Sequence, residues 1–432
     1  MIVVYLFLFI VSLIVIKTAY QTFFVPATIM AVCWCIFPSL ATAGVLGIYD
    51  LSWKTHAYII FSYLTFMLIT LLIRNKSDRK GVEAAAEIVN QNCAIRYKLL
   101  MLGNIVIAIW LSTKLGDALA IIADYGFVGL RNVYENILSD TVTNIMYNWF
   151  AKPFVSASCA IFCVDVLHGI KKEQQFVGIA ILTNIALDTV VFAARATIVK
   201  MVIYIFFAFF FCKSRTFTKK QTFLVILLTI ALMTLVVFMT GERMSVGRYA
   251  QFSLLDSIYM YYAAPFGLLN TYVENPGFAM LGGDNLLFGA GTFGAIYNVF
   301  RSMLYVLFGL EYNGSDYIIQ LVTQETIMVG ANVSINSACT SVYVFLRDFG
   351  VAGLFFGFGL MAVLAEMFRH TFFKNPTIRC GAIYVIMLYA IFRLSASYDF
   401  LTPPTMFSIV YVLLCTKNTV KNSKRYGKIM RF

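Results

Sequence analysis

The 432-residue chain is short of acids, with 21, and of histidines, with three, and each shortage excludes chemistry. His56, His168 and His370 are scattered and no H-E-x-x-H occurs, which argues against a metalloenzyme of that type. No two acids stand one residue apart, so the aspartate pair that many nucleotide-sugar transferases use for a metal is missing. G-x-S-x-G and G-x-x-x-x-G-K-S/T are absent, and no G-x-G-x-x-G follows a strand. A serine hydrolase is therefore disfavoured, and an ATP-driven machine would need another subunit. Paired outward cysteines are missing too, so no exported disulfide framework is expected. Cys33-Trp34-Cys35 and the Cys159, Cys163 pair read as small apolar packers. Neither a cofactor nor a metal is expected.

Apolar sequence is what the chain has in excess. It is 60% hydrophobic with a mean hydropathy of +0.81, the composition of an integral membrane protein. At about 20 residues per crossing, eleven spans are expected within a range of 10–14, near 2–16, 23–44, 57–73, 99–113, 152–169, 176–193, 197–212, 221–240, 350–368, 380–396 and 405–416. The first lacks a basic leader and a small-x-small cleavage site, so it reads as a retained span. The expectation is a single all-α, polytopic membrane domain over residues 1–432.

The 33 Lys and Arg residues sort across these spans, and the sorting orients the chain. One alternate set of connections holds 22, namely Lys17, those in 74–98, Lys171, Lys172, those in 213–220, those in 369–379 and those in 417–431. That side is cytoplasmic. It places the C-terminus inside with a basic tail at 417–432, which is suited to anionic lipid, and the N-terminus outside. The net charge of +12 is thus explained by topology, and nucleic acid is not an expected partner.

The other 11 basic residues face out: Lys54, Lys114, Arg131, Lys152, Arg195, Lys200, Arg243, Arg248, Arg301, Arg347 and Arg393. Lys54, Lys114, Lys152, Lys200 and Arg393 are adequately explained as span-end anchors. The remaining arginines belong to outer segments. Two of these segments are too long to be turns: 114–151, and a loop over 241–349 that must have structure of its own. Within the loop, 257–270 and 285–310 read either as interfacial helices or as a re-entrant pair.

A guanidinium binds phosphate oxygens through a fixed fork of donors, which singles out these arginines. Arg195 sits at the apex Ala194-Arg195-Ala196-Thr197 between two spans, seven residues after Asp188, as a snorkelling anchor or a phosphate ligand at headgroup depth. Glu242, Arg243 and Arg248 begin the large loop as an anion site or a solvated edge. Arg131 is a candidate from the first segment, and Arg301 is a phosphate ligand or the partner of an acid. Asp348 is a general base or the ion-pair partner of Arg347. The glycines that follow, Gly350, Gly353, Gly357 and Gly359, suit close helix approach.

The stretch Gly330-Ala331-Asn332-Val333-Ser334, continuing through Thr340 to Phe345-Leu346-Arg347-Asp348-Phe349-Gly350-Val351-Ala352-Gly353, resembles a late segment of bacterial O-antigen (Wzy-type) polymerases. In that family an Asn-Val-x-Thr-like segment runs into Asp-Phe-Gly-x-x-Gly and then a span. The apex at 194–197 resembles the family's Ser-Arg-Thr-like turn, and the large late outer loop agrees. Ser334 departs from the pattern, standing where Tyr or Thr is commoner.

The resemblance implies a GT-C-like glycosyltransferase of the inner membrane that uses neither metal nor nucleotide sugar. A glycan on undecaprenyl pyrophosphate would move en bloc to a newly arrived lipid-linked repeat unit on the periplasmic face. Membrane lipids and a chain-length regulator are implied partners. On this reading Arg195, Arg243 and Arg248 hold the pyrophosphate and Arg131 a second lipid-linked substrate. Arg301, Arg347 and Asn332 complete the binding set, Asp348 or Glu242 is the base, and Tyr261 and Tyr262 pack on sugar faces.

Two rival readings fit the topology less well. A lipid-linked oligosaccharide flippase or other transporter needs charges along a central path, whereas Asp165, Asp188, Lys200, Glu366 and Arg393 lie near span ends. An O-antigen ligase usually relies on a histidine in the large outer loop, and 241–348 holds none.

Overall fold

A computed structural model of the chain describes residues 1–74, 93–137, 141–167, 172–192, 196–212, 254–281, 285–310, 327–331, 333–335 and 339–418. In chain order these form α1 (Ile2–Tyr20), α2 (Pro26–Ala31), a π-helical turn, α3 (Phe37–Thr42), α4 (Trp53–Ile73) and the short strand β1 (Cys93–Ile95). Next come α5 (Tyr97–Thr113), α6 (Leu115–Ile137), α7 (Thr141–Ile145), a second π-helical turn, α8 (Lys152–Val166), α9 (Lys172–Phe192) and α10 (Ala196–Phe211). The late part holds α11 (Leu254–Glu274), α12 (Gly294–Phe308), β2 (Ile327–Met328), β3 (Ser334–Ile335), α13 (Ser341–Phe349), α14 (Val351–Lys374), α15 (Ile378–Arg393), α16 (Pro403–Cys415) and β4 (Thr416–Asn418).

The protein is an all-α, multi-pass membrane protein. Among the described residues five helices are long and apolar enough to cross a membrane: Ile2–Tyr20, Trp53–Ile73, Val142–Val166, Lys172–Phe192 and Val351–Lys374. A sixth is added if Tyr97–Thr113 and Leu115–Gly126, bent by 43°, count as one span. Pro26–Thr42, Ala196–Phe211 and Pro403–Cys415 are apolar but shorter, and the span expected at 221–240 lies outside the described residues. The segment 114–151, expected as a mixed outer stretch, is mostly helical where described: α6, broken at Gly126 with φ +68°, covers 115–137, and α7 with its π-turn runs straight into α8.

The chain divides into two compact units. The first comprises Met1–Lys76, Val237–Arg369 and Met387–Met406. Its α1 buries Tyr5, Ser12 and Ile16 and exposes Val3, Phe7, Ile10 and Ile14, the inverse of a helix in water. Polar pairs bind this buried face to α4: Tyr5 Oη meets His56 Nδ1 at 2.8 Å, and Tyr63 Oη donates to Ser12 Oγ. Trp34 is fully buried, with Phe266 and Phe358 edge-on at 6.1 and 5.3 Å. In α14 a Cβ at Gly353 would lie 1.9 Å from the Phe345 carbonyl oxygen, and one at Gly357 would lie 2.3 Å from the Phe345 ring, so only glycine allows α13 to fold back against α14. Near the far end of α14, the buried pair Glu366 Oε2–Arg369 Nε closes at 2.8 Å, with Arg369 over the Tyr20 ring.

The second unit comprises Ser77–Val236, His370–Ile386 and Phe407–Phe432. A buried amide cluster joins three helices in it. Asn184 Nδ2 donates to Asn104 Oδ1 at 2.9 Å and to Asn104 O at 3.0 Å, while Asn104 Nδ2 reaches Ser158 Oγ at 3.1 Å. These bonds form where no water competes, so they also fix the helix register, and Asn184 Oδ1 is left without a partner among the described residues. β1 and β4 pair antiparallel, Ala94 opposite Lys417.

Candidate functional site

In the first unit the motif around Asp348 is built from the helix α13, in which every residue from Ser341 to Asp348 is buried. Successive helical residues point about 100° apart, and Arg347 and Asp348 accordingly take different partners. Arg347 is 1% exposed and donates through Nη1 to the carbonyls of Met280 at 2.8 Å and Ala279 at 3.3 Å, while its Nε has no partner among the described residues. Tyr343 Oη donates to the same Ala279 carbonyl at 3.1 Å. The ion pair expected as one reading of Arg347-Asp348 does not form; instead, Arg347 fastens the turn at the end of α11.

Asp348 is fully buried, and both of its oxygens are engaged. Oδ1 accepts from Gly291 N at 2.8 Å, and Oδ2 accepts from Thr292 N and Thr292 Oγ1. The donors lie in Gly289-Ala290-Gly291-Thr292-Phe293-Gly294, a G-x-G-x-x-G run leading directly into α12. Such runs present backbone N–H groups to an anion. Here the chain supplies the anion itself, as the Asp348 carboxylate. The glycines are required: Gly289 has φ +99°, and a Cβ at Gly291 would lie 2.8 Å from Val344 Cγ1 and 3.0 Å from Asp348 Oδ1. That spacing was a legible signal of an anion partner, but only the fold identifies the partner.

A third segment closes on this knot. Tyr398 Oη donates to Thr292 O at 2.9 Å, Ala295 N to Phe400 O at 2.9 Å, and Asn298 Nδ2 to Leu401 O at 3.1 Å. Burial, and after it the Asp348 charge, push the Tyr398 pKa up, so the hydroxyl stays a donor. Ser341 N and Oγ both reach Leu394 O, at 2.9 and 3.0 Å.

The same 394–401 segment carries a second polar group, which the sequence did not single out. Arg393 ends α15, where it reads from sequence as a membrane anchor. Its Nη2 donates to Ser397 Oγ at 2.5 Å, and its Nε meets Asp399 Oδ1 at 3.4 Å. The side chains are 31% and 13% exposed, so the pair is sheltered but open. Tyr261, Tyr262 and Tyr389 lie close enough to interact with the Arg393 charge. Of the two tyrosines expected on sugar faces, Tyr262 stacks on Phe37 at 4.5 Å and meets Phe392 edge-on at 5.7 Å, while Tyr261 is 55% exposed. Arg301, half-buried on α12, has its guanidinium 5.3 Å from the Tyr297 ring centroid.

In the second unit, buried Asp188 accepts from Tyr147 Oη at 2.8 Å and Thr197 Oγ1 at 2.6 Å. It thereby ties the end of α9 to the start of α10, on either side of the apex expected to present Arg195. Arg195, Glu242, Arg243, Arg248 and Asn332 lie outside the described residues, and Arg131 is placed only as a backbone position in α6. Among the described residues no three His, Cys, Asp or Glu side chains converge as metal ligands.

No family model, no curated protein and no solved structure matches the chain.

Proposed function

We propose that the chain is a membrane glycosyltransferase that polymerises undecaprenyl-pyrophosphate-linked oligosaccharide repeat units by en bloc transfer. On this reading the fold is GT-C-like with about eleven spans, set in a bacterial inner membrane with the N-terminus periplasmic and the C-terminus cytoplasmic. The observation that carries it is the role of Asp348-Phe349-Gly350-Val351-Ala352-Gly353. This segment, on which the resemblance rests, gathers the glycine-rich 289–294 run and the 394–401 segment into one buried knot, beside a partly exposed Arg–Asp pair and an exposed tyrosine. A motif that organises a polar site above apolar helices supports a periplasmic active centre.

In the proposed reaction an acceptor hydroxyl attacks the anomeric carbon of the growing glycan. The carbon–oxygen bond to the pyrophosphate breaks, and undecaprenyl pyrophosphate leaves. Arg195, Arg243 and Arg248 neutralise the charge developing on it, and Arg131 holds the second lipid-linked substrate. Arg301 and Asn332 belong to the same binding set. The acceptor proton passes to a carboxylate. Since both Asp348 oxygens already accept protein hydrogen bonds, Glu242 takes that role, and Asp348 and Arg347 hold the loop in shape.

The test is reconstitution with purified lipid-linked repeat unit. A ladder of products without added nucleotide sugar or metal supports the reading. Transbilayer movement of unchanged substrate replaces it with a flippase, and transfer to lipid A core replaces it with a ligase. Arg195→Ala and Arg195→Lys should each abolish extension at normal protein abundance. Full activity in the lysine variant would sink the bidentate phosphate role.

A further inference from the structure

We propose that Arg393, Ser397, Asp399 and Tyr261 form a binding subsite for an uncharged sugar ring, recognised through a pair of neighbouring hydroxyls. The inference deepens the polymerase reading and rests on its glycan substrate.

The hydrogen-bonding capacity of the pair carries the chemistry. Asp399 Oδ1 faces Arg393 Nε and Ser397 Oγ, each at 3.4 Å, and Arg393 Nη2 is taken by Ser397. Among the described residues neither Arg393 Nη1 nor Asp399 Oδ2 makes a hydrogen bond. One donor atom and one acceptor atom are therefore left over on a fixed, partly exposed pair. Adjacent sugar hydroxyls match them, one accepting from the guanidinium and the other donating to the carboxylate. A phosphate does not, because the Asp399 charge opposes it. Tyr261, within electrostatic reach of Arg393, adds an exposed ring, the apolar platform that sugar C–H faces require.

The subsite is also built rigidly. Tyr262, next to Tyr261 on α11, is held by Phe37 and Phe392, which fixes the rotation of that helix. Along 394–401, Ser397 and Asp399 meet Arg393, whereas Tyr398, Phe400 and Leu401 bond to the 292–298 segment that Asp348 organises. Asp348 is thus a positioning residue for the pair.

The probe is the water-soluble oligosaccharide released by mild acid from the host cell's lipid-diphosphate-linked glycans, with inorganic pyrophosphate as competitor. Binding to the purified protein in nanodiscs is read by saturation-transfer NMR. Sugar ring protons should saturate, and pyrophosphate should not displace them. Tyr261→Ala and Asp399→Asn should each weaken binding about tenfold, the loss expected for one contact to a charged or stacked group. Tyr261→Ala removes an exposed ring, so its thermal midpoint should stay unchanged and confirm folding. Unchanged affinity in both variants, or displacement by pyrophosphate, overturns the subsite. If wild type binds the sugar but never extends it, the polymerase reading falls and the subsite stands. If it extends chains and Tyr261→Ala leaves the acceptor KM unaltered, the reverse holds.

We also infer, from an independent observation, that α12 lies in bilayer hydrocarbon. It exposes Ile296, Phe300, Met303, Val306, Leu307 and Phe308, and it buries Asn298 and Ser302. This is the same inversion seen in α1, whose composition is that of a span. Fifteen residues reach only about 22 Å, short of a full crossing of about 30 Å, so the helix enters partway. In nanodiscs of brominated phosphatidylcholine, tryptophan in Phe300→Trp and Val306→Trp should be quenched by the lipid. Quenching by aqueous acrylamide instead, or protection from both through self-association, overturns the placement.

Discussion

Asp348 and Asp188 are both buried carboxylates, one in each unit, and neither forms an ion pair among the described residues. They differ in what satisfies them. Asp348 takes two backbone N–H groups and a hydroxyl from a loop 56 and 57 residues away, whereas Asp188 takes two side-chain hydroxyls. Backbone donors cannot turn to accept, but hydroxyls can. The carboxylate of Asp348 therefore determines where a loop goes, while that of Asp188 clamps helices that packing already brings together. The difference separates a residue whose charge shapes a site from one whose charge is replaceable.

The largest expected effect is at Asp348. Asp348→Ala strands two buried N–H groups and a hydroxyl, and should cost about 3–5 kcal/mol. Asp348→Asn should cost nearly as much, since its amide nitrogen would face an N–H. Thermal midpoints in detergent and proteolytic cleavage within 287–298 would record the loss; a near-wild-type Asp348→Asn would erase the contrast.

Glycine contacts break the comparison next. Gly353→Ala meets a carbonyl oxygen at 1.9 Å and should destabilise by about 2–3 kcal/mol. Gly178→Ala in the second unit meets only the outer edge of the Phe162 ring at 2.9 Å, which can swing aside, and should cost about 1 kcal/mol. Equal shifts in thermal midpoint would show that backbone approach is no tighter in the first unit.

Smaller still is Asp188→Asn, at about 1 kcal/mol, because Tyr147 and Thr197 can reorient towards an amide. A collapse as severe as that of Asp348→Asn would mean that the Asp188 charge, which Lys152 lies near enough to attract, is not replaceable. Least of all, Tyr261→Ala should change stability by under about 0.5 kcal/mol while its neighbour Tyr262→Ala, losing a half-buried stack, costs about 2 kcal/mol.

Much of the fold was legible because lipid imposes length and composition on any helix that crosses it. Helices underlie each expected span that the structure describes, and Gly353, Gly357 and Gly359 pack closely as expected, whereas a Cβ at Gly350 would meet nothing within 4 Å. The site was less legible. Asp348 and Arg347 are adjacent and opposite in charge, so a local pair was the natural reading, yet the helix turns them towards different segments. Arg393 resembled an anchor because its partner Asp399 lies beyond the helix end, where spacing rules no longer apply. His56, scattered from the other histidines in sequence, is buried and meets Tyr5 in the interior.

Hydrophobic run length and glycine placement are properties of consecutive residues, and they sufficed for an all-α membrane protein with helices in the expected places. Which carboxylate meets which donor depends on contacts across tens to hundreds of residues, whose geometry no local pattern encodes. Tertiary structure alone therefore decided that Asp348 is the internal anion of a glycine-rich loop, and that Arg393, written off at a helix end, belongs to a polar site.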